Sequence, residues 1–181
     1  MKQFRHVLVV GGSGMLAACS RRLTQISETV SVLARDESRV RAIAPGIHPI
    51  ICDYRDEKSL AQALKTITPD LAITWIHRRR PEVRRMVAER IAADGRLIQV
   101  MGSVHADPAH PERLAEMARV TLGLPVLYQA VILGFVVAPN GSRWLTDDEI
   151  SAGVFAAVES RADLSIVGTV DPWAARPGGS K

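Results

Sequence analysis

Residues 1–20, MKQFRHVLVVGGSGMLAACS, decide how the rest of the chain is read. Basic residues, a mainly apolar stretch and then Leu16-Ala17-Ala18-Cys19 have the layout of a bacterial lipoprotein signal peptide, in which Cys19 accepts the lipid and everything before it is removed. The same residues also spell strand, glycine turn and helix. Gly11, Gly12, Ser13 and Gly14 favour the second alternative, because they dilute the apolarity that a signal core needs. After the turn, Leu16, Cys19, Leu23 and Ile26 recur at helical spacing with Arg21 and Arg22 on the other face.

Working outward, the pattern alternates. A β-branched and leucine run over 6–10 ends in the glycines, as a buried parallel strand should, and a helix is expected over 14–25. A strand over 29–34 is followed by a short helix over 37–43 that stops before Pro45-Gly46, and a third strand over 47–52 follows. Leu60, Ala63, Leu64 and Ile67 share one face of a helix over 56–67, and 71–76 is the fourth strand. Pro81 suits the first turn of a helix running to about residue 93, since its missing N–H costs nothing there; 97–101 is the fifth strand. Strands separated by helices mean a doubly wound, mostly parallel sheet in three α/β/α layers, the Rossmann-like α/β class.

Beyond Ser103 the spacing loosens into a helix near 111–122, a long apolar segment over 126–138 and a turn at 139–142. Thr146-Asp147-Asp148-Glu149 is a capping box, with Thr146 as N-cap, Glu149 at the third position and Leu145 and Ile150 placed as a hydrophobic staple. That helix should run to about residue 160, with a last strand over 164–167. A single domain over 1–173 is expected, then a loose tail over 174–181 rich in Pro, Gly and Ser.

Composition agrees with one soluble domain. The chain has 181 residues, 47% hydrophobic and 23% charged, and no apolar run reaches the roughly 18 residues of a membrane helix. Residues 1–105 hold 17 basic and 10 acidic side chains, and the remainder 6 and 9, so the positive charge belongs to the first part. Cys19 and Cys52 share no metal-ligand spacing, which argues against a metal site or a disulfide framework and fits a cytoplasmic location.

Between a strand and a helix, Gly11-Gly12-Ser13-Gly14-Met15-Leu16-Ala17 becomes a candidate dinucleotide fingerprint. Glycine permits the tight turn, a missing Cβ lets a pyrophosphate approach the backbone, and small Ala17 lets helix pack on strand. The N–H groups and dipole of the helix start supply the anion site. After the second strand the chain reads Leu33-Ala34-Arg35-Asp36, with Arg39 one turn later. An acid here would take the ribose hydroxyls of NAD, whereas Arg accommodates the 2′-phosphate of NADP. Arg35 favours NADP, and Asp36, one residue on, keeps NAD as the alternative.

With these residues in view, the chain resembles small, atypical members of the short-chain dehydrogenase/reductase family. The matching residues are Gly11, Gly14 and Ala17 in a GxxGxxA turn, Arg35, Cys52-Asp53-Tyr54 after the third strand, and the stretch Arg143 to Ile150. The resemblance implies that Asp53 holds the adenine. It also marks departures: the family's Asn-Asn-Ala-Gly after strand four is replaced by Trp75-Ile76-His77-Arg78, and Tyr-x-x-x-Lys is missing from its place. Only Tyr54 and Tyr128 exist; Ile132 stands where Tyr128 would need Lys, and Tyr54 with Lys58 lies on the adenine side. The family's usual proton donor is therefore absent. Ser103 matches the position of the family's catalytic Ser.

Substitute donors must lie where strands release their carboxyl ends, which selects His77, Ser103 and His105. Trp75 and Ile76 are placed to pack against the nicotinamide ribose. Arg78, Arg79, Arg80, Arg84, Arg85 and Arg90 form a basic run able to steer a phosphate-bearing cofactor or an anionic substrate, or to form a solvated helix face; few aromatics accompany it, so nucleic acid is not expected. Two functions follow: an NADP-dependent oxidoreductase acting on a small carbonyl or imine with a non-standard proton donor, or a regulator that senses NAD(P) without turnover. The apolar C-terminal third is compatible with a homodimer.

Overall fold

The computed structural model of the chain describes residues 2–76 and 80–178. Its first strand, β1 (Phe4–Val10), buries Val7, Leu8, Val9 and Val10 completely. Such a run has no solvated face, because both faces of a central parallel strand are covered. Helix α1 (Ala17–Ile26) follows, then β2 (Ser27–Ala34), α2 (Glu37–Arg41), β3 (Ile47–Ile51), α3 (Glu57–Leu64), β4 (Leu71–Thr74), α4 (Pro81–Ala88) and β5 (Gly95–Gly102). After a 3-10 turn come α5 (Glu112–Ala118), β6 (Val126–Leu133), β7 (Phe135–Ala138), β8 (Gly141–Trp144), α6 (Asp147–Ser160) and β9 (Leu164–Val167). Seven strands form one sheet in the order β3-β2-β1-β4-β5-β6-β9, parallel at every pairing.

Two apolar layers flank the sheet. Val7 and Val9 meet Leu16 of the turn, Cys19 and Leu23 of α1 and Val154, Phe155 and Val158 of α6 on one face. Leu8 and Val10 meet Leu60 and Leu64 of α3 and Val83 and Val87 of α4 on the other. Period-two alternation along β1 and helical spacing on both sides thus produce the doubly wound α/β architecture expected from the sequence. Cys19 lies wholly inside, where burial pushes its thiol up to about 12. Residues 4–20 form strand, turn and the start of a helix, the second of the two layouts.

Several boundaries differ from the sequence pattern. The α1 helix starts at Ala17 and not at residue 14, since Gly11 to Leu16 are spent on the turn. Short i→i−3 bonds, Arg90 N–H to Val87 O and Ile91 N–H to Ala88 O, wind up the end of α4 before Asp94, at φ 62, can turn the chain into β5. The apolar run over 126–138 is two strands broken at Gly134: β6 joins the large sheet, whereas β7 pairs antiparallel with β8 in a tight hairpin. The stretch expected to be loose from Ala174 onward begins within a 3-10 turn (Trp173–Ala175), and Arg176 is half-buried.

The capping box is present in full. Thr146 Oγ1 accepts from the Glu149 N–H at 3.2 Å, and the Glu149 carboxylate accepts from the Thr146 N–H at 2.8 Å. Arg143 donates to both carboxylate oxygens at 2.8 Å; together with the Thr146 N–H it holds Glu149 down at about 2. A carboxyl lowered on folding adds stability that is present above its unfolded value and is lost as pH falls through the folded one. Thermal midpoints should therefore fall between about pH 5 and about pH 2 more steeply in wild type than in Glu149→Gln, which keeps the cap. Parallel curves in circular dichroism melts would refute this.

Candidate functional site

The chain leaves β1 in one direction for β2 and β3 and returns to its other edge as β4. Loops from the carboxyl ends of β1 and β4 diverge there, opening the crevice in which parallel sheets hold ligands. Gly11 occupies the left-handed region at φ +80, donates its N–H to Leu33 O at 3.1 Å, and has no room for a Cβ, which would lie 3.0 Å from the Trp75 carbonyl oxygen. Gly12 is buried, and a Cβ on it would press the side chains of Val9 and Ser20 at 2.8 Å. Gly14 differs: it is exposed, and a Cβ there meets nothing within 4 Å, so its backbone is open to a ligand from above. The first turn of α1 has neither a side-chain cap nor an acid, which leaves its dipole end to an anion. Leu16 is fully buried and packs in the core.

On the β2–β3 side a cavity of about 260 Å³ is bordered by Gly11, Ser13, Arg35, Asp53, Tyr54 and Trp75. Arg35, favoured from the sequence, and Asp36, its alternative, separate here. The Asp36 carboxylate accepts from the Ser38 hydroxyl at 2.6 Å and from the Arg39 N–H at 3.1 Å, capping α2, and these bonds lower its pKa. Arg35 is exposed at the cavity edge. Arg39 borders another space, of about 430 Å³, between α1, α2 and α6, which shares Ser13 with the first. Asp53 lines the Arg35 cavity but is gripped by Arg55, whose guanidinium donates at 2.6–3.0 Å and holds the carboxyl down at about 2. Arg55 is a lining residue that the sequence reading passed over, although Asp-x-Arg after a strand is a legible pairing.

Trp75, 36% exposed, also borders a second cavity of about 260 Å³ at the ends of β5 and β6, with Met15, Ser103, Leu133, Trp144 and Arg176. Ser103 is buried there, and its Oγ accepts from Arg176 Nε at 2.8 Å. His105 is buried, with Nδ1 3.2 Å from the Gly102 carbonyl oxygen. Ile76 is buried in the lower core and borders neither space. His77, with Arg78 and Arg79, lies outside the described residues. Tyr128 sits half-buried on β6 with its hydroxyl buried and its pKa pushed up, and Tyr54 belongs to the Arg35 cavity, so neither lines the space around Ser103. Trp144 and Arg176 were not singled out from sequence; nothing in Ala174-Ala175-Arg176-Pro177 marks it as a site.

The basic run turns out to be partly structural. Arg84 is buried on α4, Arg85 pairs with Glu89 and donates to the Val120 and Leu122 carbonyls, and Arg90 donates to those of Lys65 and Ile67. The Arg85 and Arg90 guanidiniums thus fasten neighbouring turns.

No protein-family model matches the chain, and no curated protein does. Solved structures do match in fold. A short-chain dehydrogenase from Burkholderia cenocepacia, in complex with NADP, is 19% identical with a TM-score of 0.66, covering 94% of this chain and 91% of that one. A short-chain dehydrogenase/reductase from Serratia marcescens gives 17% and 0.68 over 91% and 96%. BdcA in complex with NADPH gives 15% and 0.65 over 91% and 93%. The chain has the Rossmann-like fold of the short-chain dehydrogenases and reductases.

Proposed function

We propose that this chain binds NADP and transfers hydride between it and a small carbonyl or imine, using a proton donor other than the family's tyrosine. The observation that carries this is the pair of cavities that meet at Trp75, one bearing Arg35 and the other Ser103, with the glycine turn between them. The open backbone at Gly14 and the uncapped start of α1 fit the pyrophosphate, and Ser13 and Arg35 fit a phosphorylated ribose. Structures of like fold that hold NADP or NADPH support the cofactor.

When bound, the nicotinamide supplies the hydride. The chain's own residues do the rest. An arginine only donates, so Ser103 Oγ, already accepting from Arg176, directs its hydroxyl hydrogen elsewhere, toward a substrate oxygen or nitrogen. Leu133, Leu145 and Ile150 keep the cavity apolar. The proton comes from water or from His77, which follows β4 by three positions in the sequence and lies outside the described residues. The lack of Tyr and Lys among the described residues lining this cavity favours a second function, NADP sensing without turnover.

Titration of NADPH and NADH by nucleotide fluorescence, followed by NADPH oxidation across a carbonyl and imine panel, separates these. Binding with oxidation supports the enzyme; binding with no oxidation leaves the sensor; no binding of either nucleotide sinks both.

A further inference from the structure

Among the described residues, the surroundings of Arg176 use fewer donors than its side chain has. Nε is spent on Ser103 Oγ at 2.8 Å, and the guanidinium lies over Trp144 at 5.1 Å and Trp173 at 5.4 Å from the ring centroids. Two aromatic faces and a serine fix the plane of the fork. Among the described residues no carboxylate pairs with Arg176, and the residues lining this cavity include no other charged group. The remaining walls, Met15, Leu133, Leu145 and Ile150 among them, are apolar. A fixed cation with no counter-ion among the described residues, in an otherwise apolar space, calls for an anion carrying an apolar body.

We propose that the cavity beside Ser103 takes a small carboxylate-bearing molecule, its carboxylate seated on the outer N–H groups of Arg176 and its apolar part against Leu133 and Ile150. This rests on the reading of that cavity as the substrate side of a dinucleotide site, and narrows the substrate from any carbonyl or imine to one bearing an acid group. Arg176 is thereby a specificity residue contributed by the chain's C-terminal segment. Its bond to Ser103 couples recognition of the acid to the orientation of the hydroxyl.

All three tryptophans of the chain lie at this place: Trp75 and Trp144 line the cavity, and Trp173 stacks on Arg176. Intrinsic fluorescence therefore reports on it directly. Benzoate and its neutral isostere benzamide would be titrated into the full chain, with and without saturating NADP. The expected result is about tenfold tighter binding of benzoate, the margin of one charge-assisted contact. That preference should vanish in Arg176→Met and fall to about threefold in Arg176→Lys, which keeps the charge but loses the fork. Equal affinity for the two probes in wild type would overturn the proposal, as would a benzoate preference that survives in Arg176→Met with an unchanged near-ultraviolet spectrum. Should the methionine variant fail to fold, full wild-type benzoate affinity in Arg176→Lys would overturn the seating on the fork. NADPH binding, followed by nucleotide emission in parallel, keeps the outcomes apart. Loss of NADPH binding beside an intact benzoate preference counts against the cofactor reading alone, and NADPH binding without the preference counts against this one alone.

Discussion

Replacing Arg35 by glutamate is expected to weaken NADPH binding by about a hundredfold while leaving NADH within about threefold of wild type. The 2′-phosphate is the only difference between the two ligands, and Arg35 is the exposed cation at the β2 end of the cavity that would receive it. Truncating a guanidinium that pairs with phosphate forfeits about 1.4 kcal/mol, and a carboxylate in its place adds repulsion of similar size, for a total near 2.7 kcal/mol. Because the site is exposed, the effect should shrink as salt shortens the reach of the charges. Asp36 does not confuse the test, since its carboxylate is committed to Ser38 and the Arg39 N–H. An unchanged NADPH affinity would end the assignment. An equal loss for both nucleotides would show that Arg35 acts through neighbouring Asp53 and not on the phosphate.

Gly134→Ala should lower stability by about 3 kcal/mol or more, a drop of roughly 10 °C in thermal midpoint for a chain of this size. A Cβ at Gly134 would overlap the carbonyl of Thr169 and press on the Val167 carbonyl oxygen at 3.1 Å. Both contacts are backbone, so no rotamer change relieves them. Gly134 N–H donates to Val167 O at 3.0 Å, and Phe135 and Thr169 exchange two bonds of 2.9 Å, so the strands cannot simply part. Gly14→Ala provides the contrast: its Cβ meets open space, and the midpoint should move by no more than about 2 °C. Scanning calorimetry on both variants decides the matter, and coincident melts would refute it.

Most of the fold was legible because it is local in kind. The β1 run, the glycine turn and the spacing of Leu16, Cys19 and Leu23 each declare an element within a few residues, and Thr146 with Glu149 declares a helix start outright. Gly134 was missed as a break because both sides of it are apolar, and periodicity cannot show that one strand has become two. The Arg35 half of the candidate site was legible for the same reason as the fold: its residues follow strand ends. Choosing between Arg35 and Asp36 required a hydrogen bond from Ser38, two positions away, that composition does not reveal. The Ser103 half was mostly hidden. Arg176 reaches Ser103 across 73 positions of sequence, and Trp144 reaches the same place from a hairpin whose pairing only the folded chain defines.

The central position of β1 also bears on how the chain is made. The two neighbours of β1 are completed at different times: its β2 edge is filled once Ala34 has been made, but its other edge waits for Leu71 to Thr74. Each new parallel strand then exposes a fresh apolar edge until the next one covers it, from β4 through β5 and β6 to β9. Assembly by such non-local pairings is slow, and the unfinished edge is adhesive throughout. Growth temperature and the rate of synthesis should thus govern the soluble yield more than the final stability does.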